Sequence, residues 1–353
     1  MRQWSRSVLT ESLAAPPTFR IGGPAGHWVV PESEAELIEV VSRADTAGEP
    51  LLILGGGSNV LISDDGFAGT VVHTGGLCGW QLEDVAACSG AFVNVAAGEP
   101  WDDFVAAAVE REWVGIEALS GIPGLTGSTP IQNVGAYGQE VAQTIARVRV
   151  YDRAERRVVT RGVAECHFGY RSSLFKAIPD RFVVLSVSFQ FRLGGLSTPI
   201  RYAELARALG VAEGERAPLA QVREAVLRLR RGKGMVCDAD DPDSWSAGSF
   251  FTNPVLTADQ AAALPAEAPR FPQPDGRVKS SAAWLIEHAG FGKGFTVGSA
   301  RVSAKHTLAL VNPGTAGAAD VLALAKVIRD GVAAAYGVRL APEPVLVGVA
   351  LDG

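Results

Sequence analysis

Ser120-Gly121-Ile122-Pro123-Gly124-Leu125-Thr126-Gly127-Ser128-Thr129-Pro130-Ile131-Gln132-Asn133-Val134-Gly135-Ala136-Tyr137-Gly138 is the stretch on which the fold turns. Its nineteen residues hold five glycines and two prolines, with Ile122, Leu125, Ile131 and Val134 spaced between them. That is too long for a connector and too apolar for a solvated linker. Long segments without regular structure inside a compact domain are usually functional. The composition suits a backbone wall that runs close to a flat cofactor, offering N–H and C=O groups to ring edges and phosphates.

A second glycine loop lies about sixty residues upstream, in Leu54-Gly55-Gly56-Gly57-Ser58-Asn59-Val60. Apolar runs, Leu51 to Leu54 and Val60 to Ile62, flank it, so strand, loop and strand is the natural reading. It is not the GxGxxG fingerprint, because Val60 stands at the last glycine position and a strand follows instead of a helix. Successive glycines can turn several backbone N–H groups toward one point, a nest for a pyrophosphate, and Ser58 and Asn59 add side-chain donors. A tight turn with no ligand explains this loop equally well when it is read alone. Two such loops together argue for one extended dinucleotide.

Outward from the loops, helical spacing appears over Ser33 to Ala47, Pro100 to about Trp113, Ala203 to Leu209, Pro218 to Arg230, Ala282 to Ala289 and Ala318 to Tyr336. The last carries Val321, Leu324, Ala325, Ile328 and Val332 on one stripe. Strands are expected at Thr70 to His73, Phe92 to Ala97, Val148 to Tyr151, Phe182 to Phe191, Leu308 to Val311 and Val345 to Val349. In Phe182 to Phe191, Val184, Ser186 and Ser188 alternate with Leu185, Val187 and Phe189. These elements do not repeat as βαβ units, so the class expected is α+β. The polar, Asp-rich run from Gly232 to Ser246 reads as a boundary. The division expected is an N-terminal extension over 1–17, a first domain over 18–231 with lobes near 18–80 and 81–231, and a C-terminal domain over 232–353.

The net charge of −6 gives no basic field that would draw nucleic acid or an anionic membrane. An anionic substrate therefore requires a local cluster such as Arg228, Arg230, Arg231 and Lys233, although cations at a helix C-terminus are favourable without any ligand. Cys78, Cys88, Cys166 and Cys237 form no CxxC pair, and the five histidines form no ligand set, so no metal is expected. No run reaches the 18 or so apolar residues of a membrane span and no signal peptide is legible at Met1 to Phe19, so a cytoplasmic protein, free of membrane, is expected.

The pair GGGSNVL and SGIPGLTGSTPIQNVGAYGQE resembles the FAD-binding domain of vanillyl-alcohol-oxidase type flavoproteins. Its wording around IPG and QNVGAYGQE is similar to the UDP-N-acetylenolpyruvoylglucosamine reductases of peptidoglycan synthesis. Phe19-Arg20-Ile21-Gly22-Gly23-Pro24-Ala25 matches that family's opening motif. Gly169 to Lys176, Ala247-Gly248-Ser249-Phe250-Phe251-Thr252-Asn253-Pro254, Val297 to His306 and Ala341-Pro342-Glu343-Pro344 follow its later motifs in order. Ser128 stands where the family often has Gly, and Ser172 where an acid or amide is common. The resemblance runs from about Thr18 to Gly348. It implies a two-lobed FAD-binding domain followed by a smaller α+β substrate-binding domain.

It further implies non-covalent FAD held by Gly55, Gly56, Gly57, Ser58, Asn59, Ser120, Gly121, Ile122, Gly127, Ser128, Asn133, Gly135, Ala136, Tyr137 and Gly138. NADPH would be the reductant and UDP-N-acetylglucosamine enolpyruvate the substrate of a monomeric enzyme. Ser249 would be the proton donor, with Arg171 and Glu343 polarising the substrate carboxylate. Tyr202, in the extra segment Pro199 to Leu205 of the longer subclass, would cover the substrate, with Lys233, Asn253 and, less directly, Lys279 on the nucleotide sugar. Read singly, each has an ordinary alternative: Arg171 an ion pair, Ser249 a turn residue, Glu343 a solvated carboxylate, Tyr202 a packed residue at a helix start. Two other functions stay open at this stage. An oxidase passing electrons to oxygen would need the loops but not the Ser249, Tyr202 and Glu343 motifs. A non-catalytic nucleotide-binding regulator would have no use for Arg171, Ser249 and Glu343.

Overall fold

The computed structural model describes residues 12–15 and 18–352, so only 12–15 of the expected N-terminal extension lie within it. The chain forms two compact units, each assembled from separated segments. The larger comprises Gly26–Gly56 and Gly69–Arg231, the smaller Met1–Ala25, Gly57–Ala68 and Gly232–Gly353.

In the larger unit, strands Arg157–Gly162, Ile145–Asp152, Phe182–Leu193, Gly90–Ala96 and Trp80–Ala86 lie side by side in that order. All neighbours are antiparallel. Helix α1 (Glu34–Ala47) starts where Ser33 accepts the Glu36 N–H and ends at Gly48 in the left-handed region. It packs on a three-stranded sheet of Ala25–Val29, Phe67–His73 and Leu51–Leu54. Helix α2 (Trp101–Glu110) buries Trp101, Phe104, Val105 and Ala108 against the other face of the large sheet. This helix stops at Glu110, short of the expected Trp113, because Glu112 turns to φ 56° and Trp113 enters a short strand beside Leu193.

The central strand Phe182–Leu193 explains why simple alternation misreads it. Arg149 pairs with Ser186 but Val150 with Val184, so Leu185 is an extra residue. A one-residue bulge reverses which side every later side chain takes. Val183 and Leu185 accordingly join the core under α1, whereas Val187, Phe189 and Phe191 join the core under α2. Both faces of the strand are apolar, as a sheet covered on both sides requires. Helix α3 (Leu219–Gly232) then closes a smaller core with Ile200, Leu205 and Ala206.

The smaller unit is organised around α5 (Ala318–Tyr336), whose expected stripe Val321, Leu324, Ala325, Ile328 and Val332 is fully buried. Phe250, Phe251, Leu61 and the residues Leu285 and Ile286 of α4 (Ala282–His288) complete that core. Val60–Ile62 pairs in parallel with Val345–Val347, which ties the upstream loop to the end of the chain. In the acidic stretch, Lys305 pairs with Asp241 at 2.5 Å and Arg301 with Asp243 at 3.4 Å. The Asp238 carbonyl also accepts from Ser244 Oγ and Trp245 Nε1.

Candidate functional site

Within the larger unit the two glycine loops meet. A Cβ on Gly56 would stand 2.7 Å from Gly124 Cα, and one on Gly55 would stand 2.3 Å from Ser128 Oγ. Only glycine permits this backbone-to-backbone approach. The hydroxyl of Ser128 fills the space left at Gly55, which gives the departure at that position a local partner. The remaining residues of the upstream loop belong to the smaller unit, so the GGGSN run is divided between Gly56 and Gly57.

The long loop is held chiefly by its own backbone. Gly127 N–H donates to the Ala97 carbonyl, Ser128 N–H to Leu125 and Trp101 N–H to Gly124. Ser120, fully buried, donates its hydroxyl to Glu117. Gly121 N–H donates to the Asp102 carboxylate at 2.6 Å. Three amides expected to face a cofactor, those of Gly121, Gly127 and Ser128, are thus used to fix the loop itself. Asn133, 1% exposed, donates to Glu140 and to the Gly169 carbonyl and accepts the Ala142 N–H. Gly135 and Ala136 form a short hairpin with Gln139 and Glu140. Ile122 packs against the α2 core.

Arg171 lies beside this hairpin. Its guanidinium donates to the Gly135 carbonyl at 2.9 Å and reaches the Asn133 carbonyl at 3.5 Å, from a backbone in the left-handed region (φ 51°). Tyr202, at the start of the helix Ala203–Leu209, meets Tyr137 edge-on with ring centroids 5.5 Å apart. Gly138 packs next to Arg201. Burial pushes the Tyr137 hydroxyl up to about 12, opposed by the charge of Arg230 and assisted by Glu204 and Tyr202. Burial and Glu204 also raise Tyr202. Both hydroxyls therefore stay protonated near neutral pH. The structure brings Gly55, Gly56, the long loop, Arg171 and Tyr202 into one neighbourhood.

Two residues that sequence reasoning did not single out, Glu117 and Asp102, shape this neighbourhood, and a third, Arg230, differs from its reading as a helix-end charge. Glu117, fully buried, accepts from Gly115 N–H, Thr198 N–H and the Gln139 amide, locking the end of the loop. Asp102 takes Gly121, and its charge is held by Arg223. Arg230 is only 9% exposed, so a solvated helix end does not describe it. Only tertiary contacts separate these from ordinary helix-end charges.

In the smaller unit, Phe250 N–H donates to the Leu308 carbonyl, and Glu343 N–H donates to the Phe250 carbonyl at 2.8 Å. Bridges join Ser249 to Ala309 and Phe251 to Pro342. Ser249 and Glu343 thus sit on adjacent backbone segments. Asn59 joins them, donating from Nδ2 to the Glu343 carbonyl at 3.3 Å and accepting the Val345 N–H. The carbonyls of Gly57 and Ser58 accept from Thr18. Asn253 accepts the Ala282 N–H at 2.9 Å in the first turn of α4, so its oxygen has a structural task. Lys279, half-buried, lies in the strand Val278–Ser280 opposite Val255, and Lys233 directly follows α3. Those bonds gather Ser249, Glu343 and Asn59; Asn253, Lys233 and Lys279 lie on other segments of the same unit.

Among the described residues no three of His, Cys, Asp and Glu come together as a metal-ligand set. Burial, then the charge of Glu165, pushes the Cys166 thiol up to about 12, with Arg161 opposing. It is therefore no ready nucleophile for covalent attachment. The residues around the long loop are compatible with a non-covalent dinucleotide. Trp101, 1% exposed and bonded to Gly124 through its own amide, has an indole N–H without a partner among the described residues. A buried donor left over beside a backbone-built wall is what a bound acceptor would satisfy.

The α+β fold and the match of residues 25–161 to the model of an FAD binding domain define an FAD-binding protein. Residues 240–347 match the UDP-N-acetylenolpyruvoylglucosamine reductase C-terminal domain. The chain is 57% identical to a UDP-N-acetylenolpyruvoylglucosamine reductase of Cutibacterium acnes, over 95% of this chain and 89% of the relative. It is 52% identical to that of Thermobifida fusca, over 96% and 97%. The solved UDP-N-acetylenolpyruvylglucosamine reductase of Thermus caldophilus superimposes with a TM-score of 0.65 at 25% identity, covering 96% of this chain and 97% of that one. The chain belongs to the UDP-N-acetylenolpyruvoylglucosamine reductase family.

Proposed function

We propose that the chain is an FAD-dependent oxidoreductase, a UDP-N-acetylmuramate dehydrogenase, that uses NADPH to reduce UDP-N-acetylglucosamine enolpyruvate. The observation that carries this reading is the 57% identity, spread over 95% of the chain, to a relative named for that reductase activity. FAD, held by the two glycine loops, would supply the redox chemistry that links NADPH to the enolpyruvyl β-carbon. Negative charge then builds on the neighbouring carbon and its carboxylate, and the side chains must stabilise it and deliver a proton to carbon.

Ser249 is the proposed proton donor. Arg171 offers the carboxylate a charged, planar partner, and its bonds to the carbonyls of Asn133 and Gly135 support a fixed orientation. Glu343, on the segment next to Ser249, helps only as a protonated or hydrogen-bonded acid, because a bare carboxylate would repel the developing enolate. The backbone of Gly55 to Asn59 and of Ser120 to Gly138 is proposed to hold FAD. Tyr202, Lys233, Asn253 and Lys279 are proposed for the nucleotide sugar. A monomer at work in the cytoplasm completes the reading; no helix of the described residues is long and apolar enough to cross a membrane.

The test is product analysis. Incubated anaerobically with NADPH and the enol ether, the protein should yield UDP-N-acetylmuramate, heavier than the substrate by one hydride and one proton. NADPH consumption that requires oxygen and produces peroxide would instead establish an oxidase.

A further inference from the structure

Asp102 occupies the first turn of α2, where any acid is favoured by the helix dipole. Its neighbour Asp103 is exposed and meets that need without further contacts. Asp102 is arranged differently. One oxygen accepts the Gly121 N–H at 2.6 Å, and the same carboxylate receives two guanidinium bonds from Arg223 of α3, at 2.6 and 3.0 Å. One side chain therefore joins the α2 start, the entry of the long glycine loop and α3. Burial opposes its ionisation, yet the Arg223 bonds, the Gly121 amide and the charges of Arg223 and Arg230 outweigh it and hold the carboxyl below its usual value. Arg223 and Arg230 are two turns apart on one face of α3.

Gly121 lies at φ 70°, followed by Ile122 and Pro123. Nothing in its own side chain fixes the direction of its peptide planes. The acceptor at Asp102 does so: with the N–H bound, the course of Ile122 to Gly124 is settled, and Gly124 is the residue that abuts Gly56. We infer that Asp102 is a positioning residue for the FAD-binding loop, setting cofactor affinity through the Gly121 amide without touching cofactor or substrate, while Arg223 serves to hold Asp102 in place. This inference rests on the FAD reading above.

The experiment uses the full chain stripped of FAD and titrated with it by flavin fluorescence, together with the melting temperature of each FAD-free variant. Asp102→Asn keeps an oxygen for Gly121 but loses the ion pair, whereas Asp102→Ala loses both. Both should lower the melting temperature of the FAD-free protein, Asp102→Ala by the additional loss of the Gly121 bond. Asp102→Ala should weaken FAD binding roughly 10-fold or more, and Asp102→Asn by no more than about 3-fold. A purely structural pair would move melting and FAD affinity together, so equal FAD affinities for the two variants would overturn the inference. Should Asp102→Ala fail to fold, Asp102→Glu decides: it keeps the charge but displaces the acceptor. It should melt near the wild type and still lose FAD affinity; wild-type affinity would overturn the inference. An unaltered chain that takes up no FAD would overturn the FAD reading and this inference with it. Normal uptake with indifferent Asp102 variants would overturn this inference alone.

Discussion

The long glycine loop of the larger unit and the Ser249–Glu343 segments of the smaller one are built on opposite principles. In the loop, the proposed FAD site depends on atoms that are missing: Gly55 and Gly56 let Ser128 and Gly124 approach to distances no side chain would allow. In the smaller unit an ordinary backbone arrangement, with Glu343 bonded to Phe250, carries the side chains proposed to deliver the proton and stabilise charge. The first kind of site fails when atoms are added and the second when they are taken away. Cofactor content and catalytic rate should therefore be separable by mutation.

The largest effect is expected in the smaller unit. Ser249→Ala should slow reoxidation of the reduced flavin by the enol ether by about 10²–10⁴-fold, the usual worth of a positioned proton donor. Flavin reduction by NADPH should stay near the wild-type rate in stopped-flow traces. Equal loss in both half-reactions would make Ser249 a structural residue. Gly56→Val is the converse test: its Cβ would meet Gly124 Cα at 2.7 Å. Overpacking of about 1–3 kcal/mol should appear as roughly 10- to 100-fold weaker FAD binding. A variant purified with full flavin content would dissolve the contrast from the other side.

A framework pair that belongs to neither region sharpens the comparison. Asp152 is fully buried and bonded to Arg181 at 2.8 Å. The Arg181 hydrogen bond holds its carboxyl below the usual range, against the penalty of burial. A depressed folded-state pKa contributes stability above the unfolded value of about 3.9 and loses it as pH falls through the folded one. Asp152→Asn should thus lower the melting temperature by a few degrees at neutral pH, with the gap to wild type closing on acidification and FAD affinity unchanged. A gap that is constant with pH would exclude the ionised pair as its cause. The smallest effect is expected at Asn253→Ala, where loss of the bond to the Ala282 N–H should cost about 1 kcal/mol in urea unfolding. A rise in KM for the enol ether beyond what that accounts for would support the proposed sugar contact.

Much of this architecture was legible because local chemistry and tertiary demand agree. Ser33 and Gly48 bound α1 as capping rules require, and the apolar stripe of α5 is the one its spacing describes. Loop composition alone marks the stretch from Ser120 to Gly138. The misreadings have physical origins. Trp113 looked helical by spacing, but the left-handed turn at Glu112 sends it into a strand. The bulge at Leu185 is set by pairing with Ile145–Asp152, which no local pattern reports. Asp102 and Glu117 were passed over because an acid on a helix or short turn has an ordinary explanation; apart from Gly115 beside Glu117, their partners lie 19 to 121 residues away.

An absorbance spectrum followed through one anaerobic cycle bears on the whole reading. Purified protein should show flavin bands that bleach when NADPH is added and return when UDP-N-acetylglucosamine enolpyruvate follows in the same cuvette. A flavin that bleaches but recovers only when air is admitted would contradict the reductase chemistry, and a colourless protein that cannot be loaded with FAD would contradict the flavin site itself.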